Sequence, residues 1–248
     1  MMKTEITKIL GNNLICDNIF EIVVAIDIRP LPGQFYMIKG LNGDYLLPRP
    51  ISVHDYEDGV LKLLYRVSGH GTNQISRLKK GDNIQIFGPL GNGFDVKLLK
   101  GKIAVIGGGI GIAPLLYLAK NIESQNLNIY LGYKDDTFCV ESFEVNCDKL
   151  TIVTENGCAG KKGYVTDFVN VGEFDTVITC GPDMMMEKII RECVEKNIPV
   201  YASLEKRMAC GIGACLGCVV STIDGNKRVC KDGPVFSGRD LMIRSENG

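Results

Sequence analysis

Four cysteines stand apart by their spacing. Cys210, Cys215, Cys218 and Cys230 form the series C-x4-C-x2-C-x11-C. A plant-type [2Fe–2S] site uses C-x4-C-x2-C and a distant fourth cysteine, because two irons and two bridging sulfides need four thiolates, two on each iron. Gly211, Gly213 and Gly217 lie between the ligands. Glycine there lets the backbone bend closely around a cluster and aim N–H groups at the sulfurs, which tunes its potential. A structural zinc site also takes four cysteines, but its usual form is two C-x2-C knuckles. The spacing therefore predicts a cluster with Cys210, Cys215, Cys218 and Cys230 as metal ligands. The other six cysteines, Cys16, Cys139, Cys147, Cys158, Cys180 and Cys193, are scattered and read as small buried apolar residues.

A second group of residues suits a flavin. Pro48 and Pro50 hold the backbone extended on both sides of Arg49, so its guanidinium projects from a fixed place, as pyrophosphate recognition requires. In Arg49-Pro50-Ile51-Ser52, the Ser52 hydroxyl is small enough to meet a flavin ring nitrogen. Downstream come Leu64-Tyr65-Arg66-Val67, with Tyr65 placed to cover part of a ring, and Gly69-His70-Gly71-Thr72. Gly71 and Thr72 open a short helix expected over residues 72–78, with Thr72 as N-cap, and a helix start behind glycines is a phosphate site.

A third group suits a dinucleotide. Gly107-Gly108-Gly109-Ile110-Gly111-Ile112-Ala113-Pro114 joins an expected strand to an expected helix. Such a glycine turn lets backbone approach a pyrophosphate, and Pro114 fits the first helical turn. Cys180-Gly181-Pro182-Asp183-Met184 makes a second turn of the same kind. In an open parallel sheet, ligands sit beyond the carboxyl ends of strands, which puts Cys180 within reach of a nicotinamide. The two histidines, His54 and His70, show no partner in the sequence and receive no acid–base role.

The elements that must position these residues fall into three stretches. Residues 1–94 read as a β domain, with strands expected over 19–26, 34–38, 60–67 and 83–87 and turns at Pro32-Gly33, Asn42-Gly43 and Gly81-Asp82; many short strands at this spacing imply an antiparallel barrel or sandwich. Residues 95–204 read as α/β: strands over 102–106, 128–133, 150–154, 176–180 and 200–204 alternate with helices over 114–124, 165–169 and 184–196, which implies a parallel sheet covered on both faces. Residues 205–248 form a small glycine- and cysteine-rich lobe. The fold class is thus multidomain, β plus α/β, with a small cluster lobe.

The chain has 248 residues, 45% of them hydrophobic and 23% charged, with a net charge of −1. That balance gives no electrostatic case for nucleic acid or an anionic membrane surface. No apolar run reaches the roughly 18 residues of a membrane span, and residues 1–10 lack a signal peptide's apolar stretch. The reading is a cytoplasmic protein.

This order of motifs resembles the ferredoxin–NADP reductase superfamily, and within it the electron-transfer subunits of class 1B dihydroorotate dehydrogenase. The resemblance spans the chain. It rests on Leu31-Pro32-Gly33-Gln34-Phe35, Arg49-Pro50-Ile51-Ser52, Gly88-Pro89-Leu90-Gly91-Asn92-Gly93-Phe94, Gly107 to Pro114, Cys180-Gly181-Pro182 and Glu205-Lys206-Arg207-Met208-Ala209-Cys210 with the ligands that follow. It implies FAD on Arg49 to Ser52, Leu64 to Val67, Gly71 and Thr72, NAD(H) on the two glycine turns, and Ser52 and Cys180 beside the reacting rings. It also implies a partner, the FMN-containing catalytic subunit, in a heterotetramer. Many reductases of the superfamily end in an aromatic residue stacked on the flavin, whereas this sequence ends in Glu246-Asn247-Gly248. The segment from Met208 to Cys218 has almost no charge, and with Val235 and Phe236 it is expected to form the apolar docking face. Two other readings share some of these motifs: the flavin/iron–sulfur subunit of an NADH-dependent ferredoxin–NADP oxidoreductase, sulfur reductase or hydrogenase, and a non-catalytic zinc regulatory module.

Overall fold

The computed structural model describes residues 2–41, 46–123 and 126–242. The expected turn at Asn42-Gly43, the helix end at Ser124 and the terminal Glu246-Asn247-Gly248 lie outside them.

The first part is a closed antiparallel barrel of strand order β1-β2-β5-β4-β3-β6. Its strands are β1 (Lys3–Cys16), β2 (Ile19–Ala25), β3 (Phe35–Gly40), β4 (Arg49–Glu57), β5 (Val60–Arg66) and β6 (Asn83–Leu90), with helix α1 (His70–Ser76) between the last two. Residues of alternating direction fill its interior, among them Ile22, Val24, Tyr36, Ile38, Leu61, Leu63, Ile84 and Ile86, as period-two burial requires. Closure depends on β1, whose start pairs with β6 and whose end pairs with β2, with a register shift between Ile9 and Gly11. Such an irregularity bends a strand sharply enough to serve two neighbours.

The second part is a seven-stranded sheet. Its elements are β7 (Ile103–Gly108), α2 (Ala113–Asn121), β8 (Leu127–Tyr133), α3 (Val140–Glu144), β9 (Lys149–Thr154), β10 (Lys161–Lys162), β11 (Thr176–Cys180), α4 (Asp183–Glu195) and β12 (Val200–Ser203). The order is β10-β9-β8-β7-β11-β12-β15, parallel throughout except for the last pair. One face packs against α2 and α3 through Leu115, Leu118 and Phe143; the other packs against α4 through Met186, Ile189 and Ile190. The helix expected over 165–169 is a single 3-10 turn, Val165–Phe168. Its β-branched residues and the glycine at 163 give too little to nucleate a longer helix.

The last part contributes β13 (Val219–Thr222), β14 (Gly225–Arg228) and β15 (Val235–Ser237). β13 and β14 make a small hairpin. β15 joins the large sheet, antiparallel to β12, so the C-terminal stretch is stitched into the central sheet as well as flanking it. The Gly88 to Phe94 motif also grips this stretch: Asn92 donates its backbone N–H to the Gly233 carbonyl at 2.6 Å and its side-chain amide to the Lys231 and Asp232 carbonyls. Gly91 holds a positive φ of 76°, and a Cβ there would lie 2.6 Å from Pro234. Only glycine permits that approach.

Candidate electron-transfer site

Cys210, Cys215, Cys218 and Cys230 come together on the outside of the barrel. Cys218 and Cys230 are buried against Phe35, Met37, Leu90, Val229 and Phe236. The thiols group in two contacting pairs, Cys210 with Cys215 and Cys218 with Cys230. Backbone N–H groups point at the sulfurs: Gly213 donates to Cys230 at 3.1 Å, Cys215 to Cys210 at 3.4 Å and Cys230 to Cys218 at 3.4 Å. Burial pushes the Cys210 thiol up, but the N–H groups of Ile212 and Cys215, the Cys215 thiol and the Ala214 N–H outweigh it and hold it at about 6. Burial and the adjacent Cys218 push Cys230 up to about 12. Cationic iron would relieve that crowding of negative charge, since metal-bound thiols are deprotonated outright. Two thiol pairs offer two thiolates to each iron of a two-iron cluster, and the donor set fits it.

The expected flavin residues flank a seam in the barrel. The β4–β5 ladder runs from Glu57↔Val60 only as far as Val53↔Leu63. Beyond that point Arg49 to Ser52 pair with β3, whereas Leu64 to Arg66 pair with β2. The two stretches therefore part, and a flat ring has edges of two strands to lie against. Arg49 to Ser52 are half-buried and Arg66 is exposed. At Gly71, a Cβ would come within 2.4 Å of the Arg49 guanidinium, so the helix start and the arginine share one cradle. These residues fit a flavin with a pyrophosphate.

Several details differ from expectation. Tyr65 does not cover a ring site: it is 1% exposed, its hydroxyl donates to Asn12 at 3.0 Å and its ring stacks on Phe20. Leu64 is equally buried, so this stretch presents backbone to the seam. Thr72 is not the N-cap. Gly69 is, and Thr72 sits three residues into α1, where its hydroxyl accepts from the N–H groups of Ser68 and Gly69 and donates to the Gly69 carbonyl. A threonine that bonds back in this way still satisfies the helix start, from the opposite side. Val235 and Phe236 add little surface, because Phe236 packs in the core beneath the cluster loop. Exposed apolar side chains in this stretch include Ile212, Leu216, Val219 and Ile223.

The two glycine turns lie side by side. β7 and β11 are neighbours, with Gly107 opposite Cys180. The chain leaves them in opposite directions across the sheet, β7 toward β8 and β11 toward β12, which makes this the switch point where an open sheet binds ligands. A Cβ on Gly111 would lie 2.5 Å from Gly181 Cα, and one on Gly108 would lie 2.8 Å from Pro182. A 3-10 turn, Gly109–Ile112, leads into α2 with Pro114 in its first turn. These turns fit a dinucleotide pyrophosphate. Cys180 itself is fully buried. Burial first, and the Glu205 charge second, push its thiol well up, against a hydrogen bond with Ser203. Its side chain is enclosed within the sheet and does not reach out from the turn.

The nucleotide and flavin parts are clamped mostly by residues to which sequence reasoning assigned no role, His54, Asp55, Lys62 and Lys120. His54, next to the flavin strand's motif, is 2% exposed, and its Nδ1 lies 2.8 Å from the Ala113 carbonyl at the start of α2. Burial holds its pKa down at about 4, so the neutral ring donates that hydrogen bond. At the far end of α2, Lys120 reaches the buried Asp55 at 2.9 Å, which Lys62 also faces at 3.5 Å. Arg66 completes the junction: a Cβ on Gly109 would lie 3.5 Å from its guanidinium. The sequence signal for the clamp was the adjacent His54 and Asp55 in the middle of strand β4.

Comparison with known proteins gives a consistent picture. Residues 205–242 match the family described as the iron–sulfur cluster binding domain of dihydroorotate dehydrogenase B. The chain is 45% identical over 241 residues to the electron transfer subunit of dihydroorotate dehydrogenase B (NAD(+)) of Clostridium acetobutylicum, covering 97% of this chain and 98% of the relative. It is 43% identical over 244 residues to the same subunit of Caldanaerobacter subterraneus subsp. tengcongensis, covering 95% and 97%. A solved structure described as giving insights into flavin-based electron bifurcation, that of an NADH-dependent reduced ferredoxin–NADP oxidoreductase, superposes with a TM-score of 0.85 at 28% identity, covering 96% of this chain and 90% of that one.

Proposed function

This chain belongs to the family of electron transfer subunits of dihydroorotate dehydrogenase B, and we propose that it carries electrons between a catalytic partner and NAD. When bound, [2Fe–2S] would supply one-electron transfer and FAD the conversion to two-electron chemistry, linking the partner's FMN to NAD+ in pyrimidine biosynthesis. The observation that carries the reading is the convergence of three sites in one fold, with the thiol pairs, the barrel seam and the switch point all connected by packed protein.

The roles divide by residue. Cys210, Cys215, Cys218 and Cys230 hold the cluster. Arg49 and Gly71, with Pro50, Ile51, Ser52, Leu64, Tyr65, Arg66, Val67 and Thr72 around the seam, hold FAD, mostly through backbone at Leu64 and Tyr65. Ser52 offers a neutral hydroxyl beside the flavin ring. Gly107, Gly108, Gly109, Gly111, Pro114, Gly181 and Pro182 hold the NAD pyrophosphate, with Cys180 as the dry wall behind the nicotinamide. These roles follow a division into residues 1–94, 95–204 and 205–248. After β8, the Asn156 amide holds Asp135 at 3.0 Å, which favours a carboxylate at the ribose and hence NAD over NADP.

The partner is an FMN-containing catalytic subunit in a heterotetramer of two of each. Ile212 and Leu216, exposed on the cluster loop, make its docking face. Among the described residues no helix is long and apolar enough to cross a membrane. The biosynthetic role of the family supports a cytoplasmic location.

The test is direct. The purified chain is expected to show flavin and [2Fe–2S] absorption, to bleach faster with NADH than with NADPH, and to co-purify with an FMN subunit that oxidises dihydroorotate. A colourless protein would overturn the cofactor assignment, and equal rates with the two nucleotides would overturn the NAD preference. Co-purification with a ferredoxin–NADP oxidoreductase subunit would instead favour the alternative that the 28%-identical structure represents.

A further inference from the structure

The flavin strand and the cluster pocket share one layer of side chains. In the β3–β4 ladder, Phe35 lies opposite Ser52 and Met37 opposite Pro50. Directly opposed residues of an antiparallel pair point to the same face of the sheet. Tyr36 and Ile38, between and beside them, fill the barrel interior, so Phe35 and Met37 point outward. There they pack in one cluster with Cys218 and Cys230. Both are nearly sealed from solvent, at 3% and 1% exposure. The cluster loop rests on them without a spacer: Gly211 holds a φ of 71°, and a Cβ there would lie 2.9 Å from Met37 Cγ and 3.4 Å from its sulfur. At Gly91, a Cβ would lie 3.0 Å from the Phe35 ring, which fixes that ring beneath the Asn92 clamp.

We propose that Phe35 and Met37 are the bridge between flavin and cluster: they set the separation of the two sites and thereby the rate at which single electrons pass between them. The inference rests on the function proposed above. The step makes and breaks no bond. One electron leaves the reduced flavin and one enters the oxidised cluster, with NADH as the reductant that first supplies a hydride to the flavin. Met37 suits such a place because its unbranched thioether fills an irregular gap densely. Truncating it would leave a void between the flavin strand and the Gly211 loop that no packed atom fills.

The experiment uses the full chain carrying both cofactors, mixed anaerobically with NADH and followed at flavin and cluster wavelengths. In Met37→Ala, flavin bleaching keeps its wild-type rate while cluster reduction slows by about tenfold or more, the scale on which chemistry responds to ångström misplacement. FAD and iron content, the cluster midpoint potential and its EPR spectrum stay unchanged, which a merely structural lesion would not allow. Met37→Leu, which conserves volume, restores the rate. Cluster reduction at the wild-type rate in Met37→Ala, or slowing matched by a shift in cluster potential, would overturn the proposal. If Met37→Ala sheds its cluster, Phe35→Leu must show the same split between phases, and its absence overturns the bridge. A wild-type chain lacking flavin or cluster absorption would instead sink the underlying function, so the two failures are distinct.

Discussion

Cys210, Cys215, Cys218 and Cys230 differ from the other cysteines in what surrounds them. Backbone N–H groups are aimed at the sulfurs of Cys210, Cys218 and Cys230, whereas Cys139 and Cys193 sit apart from this set and are pushed up to about 12, chiefly by burial. Replacing any one of the four by Ser is expected to abolish the cluster's visible absorption and lower iron content. Cys158→Ser, at an exposed position across from Asp135, leaves both unchanged. Gly71 carries a second residue-scale prediction. Gly71→Ala puts a methyl group against the Arg49 guanidinium, and overpacking of this kind costs about 1–3 kcal/mol. FAD affinity measured by fluorescence titration should fall roughly 5- to 100-fold, while the cluster spectrum persists.

At the scale of elements, α2 matters most because it is the rigid piece between two sites. Its first turn follows the glycine turn, and it is pinned to β4 by His54 and by Asp55. His54 makes this joint sensitive to acid. The ordinary histidine pKa of 6.5 is lowered to about 4 in the folded chain, so the unfolded chain takes up a proton first as pH falls. The stability contributed by neutral His54 is complete above about 6.5 and is lost progressively as pH drops toward 4. Urea unfolding between pH 7 and 4.5 is expected to show this decline in the wild type. His54→Gln, which can still donate to Ala113 but does not titrate, should flatten it. An equally steep decline in the variant would assign the acid sensitivity to other groups.

At the scale of the molecule, the last strand of the central sheet comes from the cluster-binding stretch, and Asn92 ties that stretch back to the barrel. The cluster is thereby fixed to both other sites, with its apolar loop facing outward. Ile212→Glu together with Leu216→Glu should prevent capture of the FMN subunit in a pull-down, with cofactor content unchanged, because two desolvated carboxylates oppose docking. Retained capture would move the interface elsewhere.

The sequence by itself determined the chemistry. The C-x4-C-x2-C-x11-C spacing, the glycine turns and the prolines flanking Arg49 are local constraints, and each imposes backbone geometry within a few residues. Strand and helix positions were legible for the same reason, since burial periodicity is local. Where local preference is weak, it misled: Thr72 as a cap, a helix over 165–169, and Tyr65 facing a ring. Only the tertiary structure decided which strands part to open the seam at Val53, that Gly107 and Cys180 stand opposite each other, and that Phe35 and Met37 separate flavin strand from cluster. These are pairings between residues far apart in the chain. They follow from register and from the packing of whole sheets, which no short stretch of residues encodes.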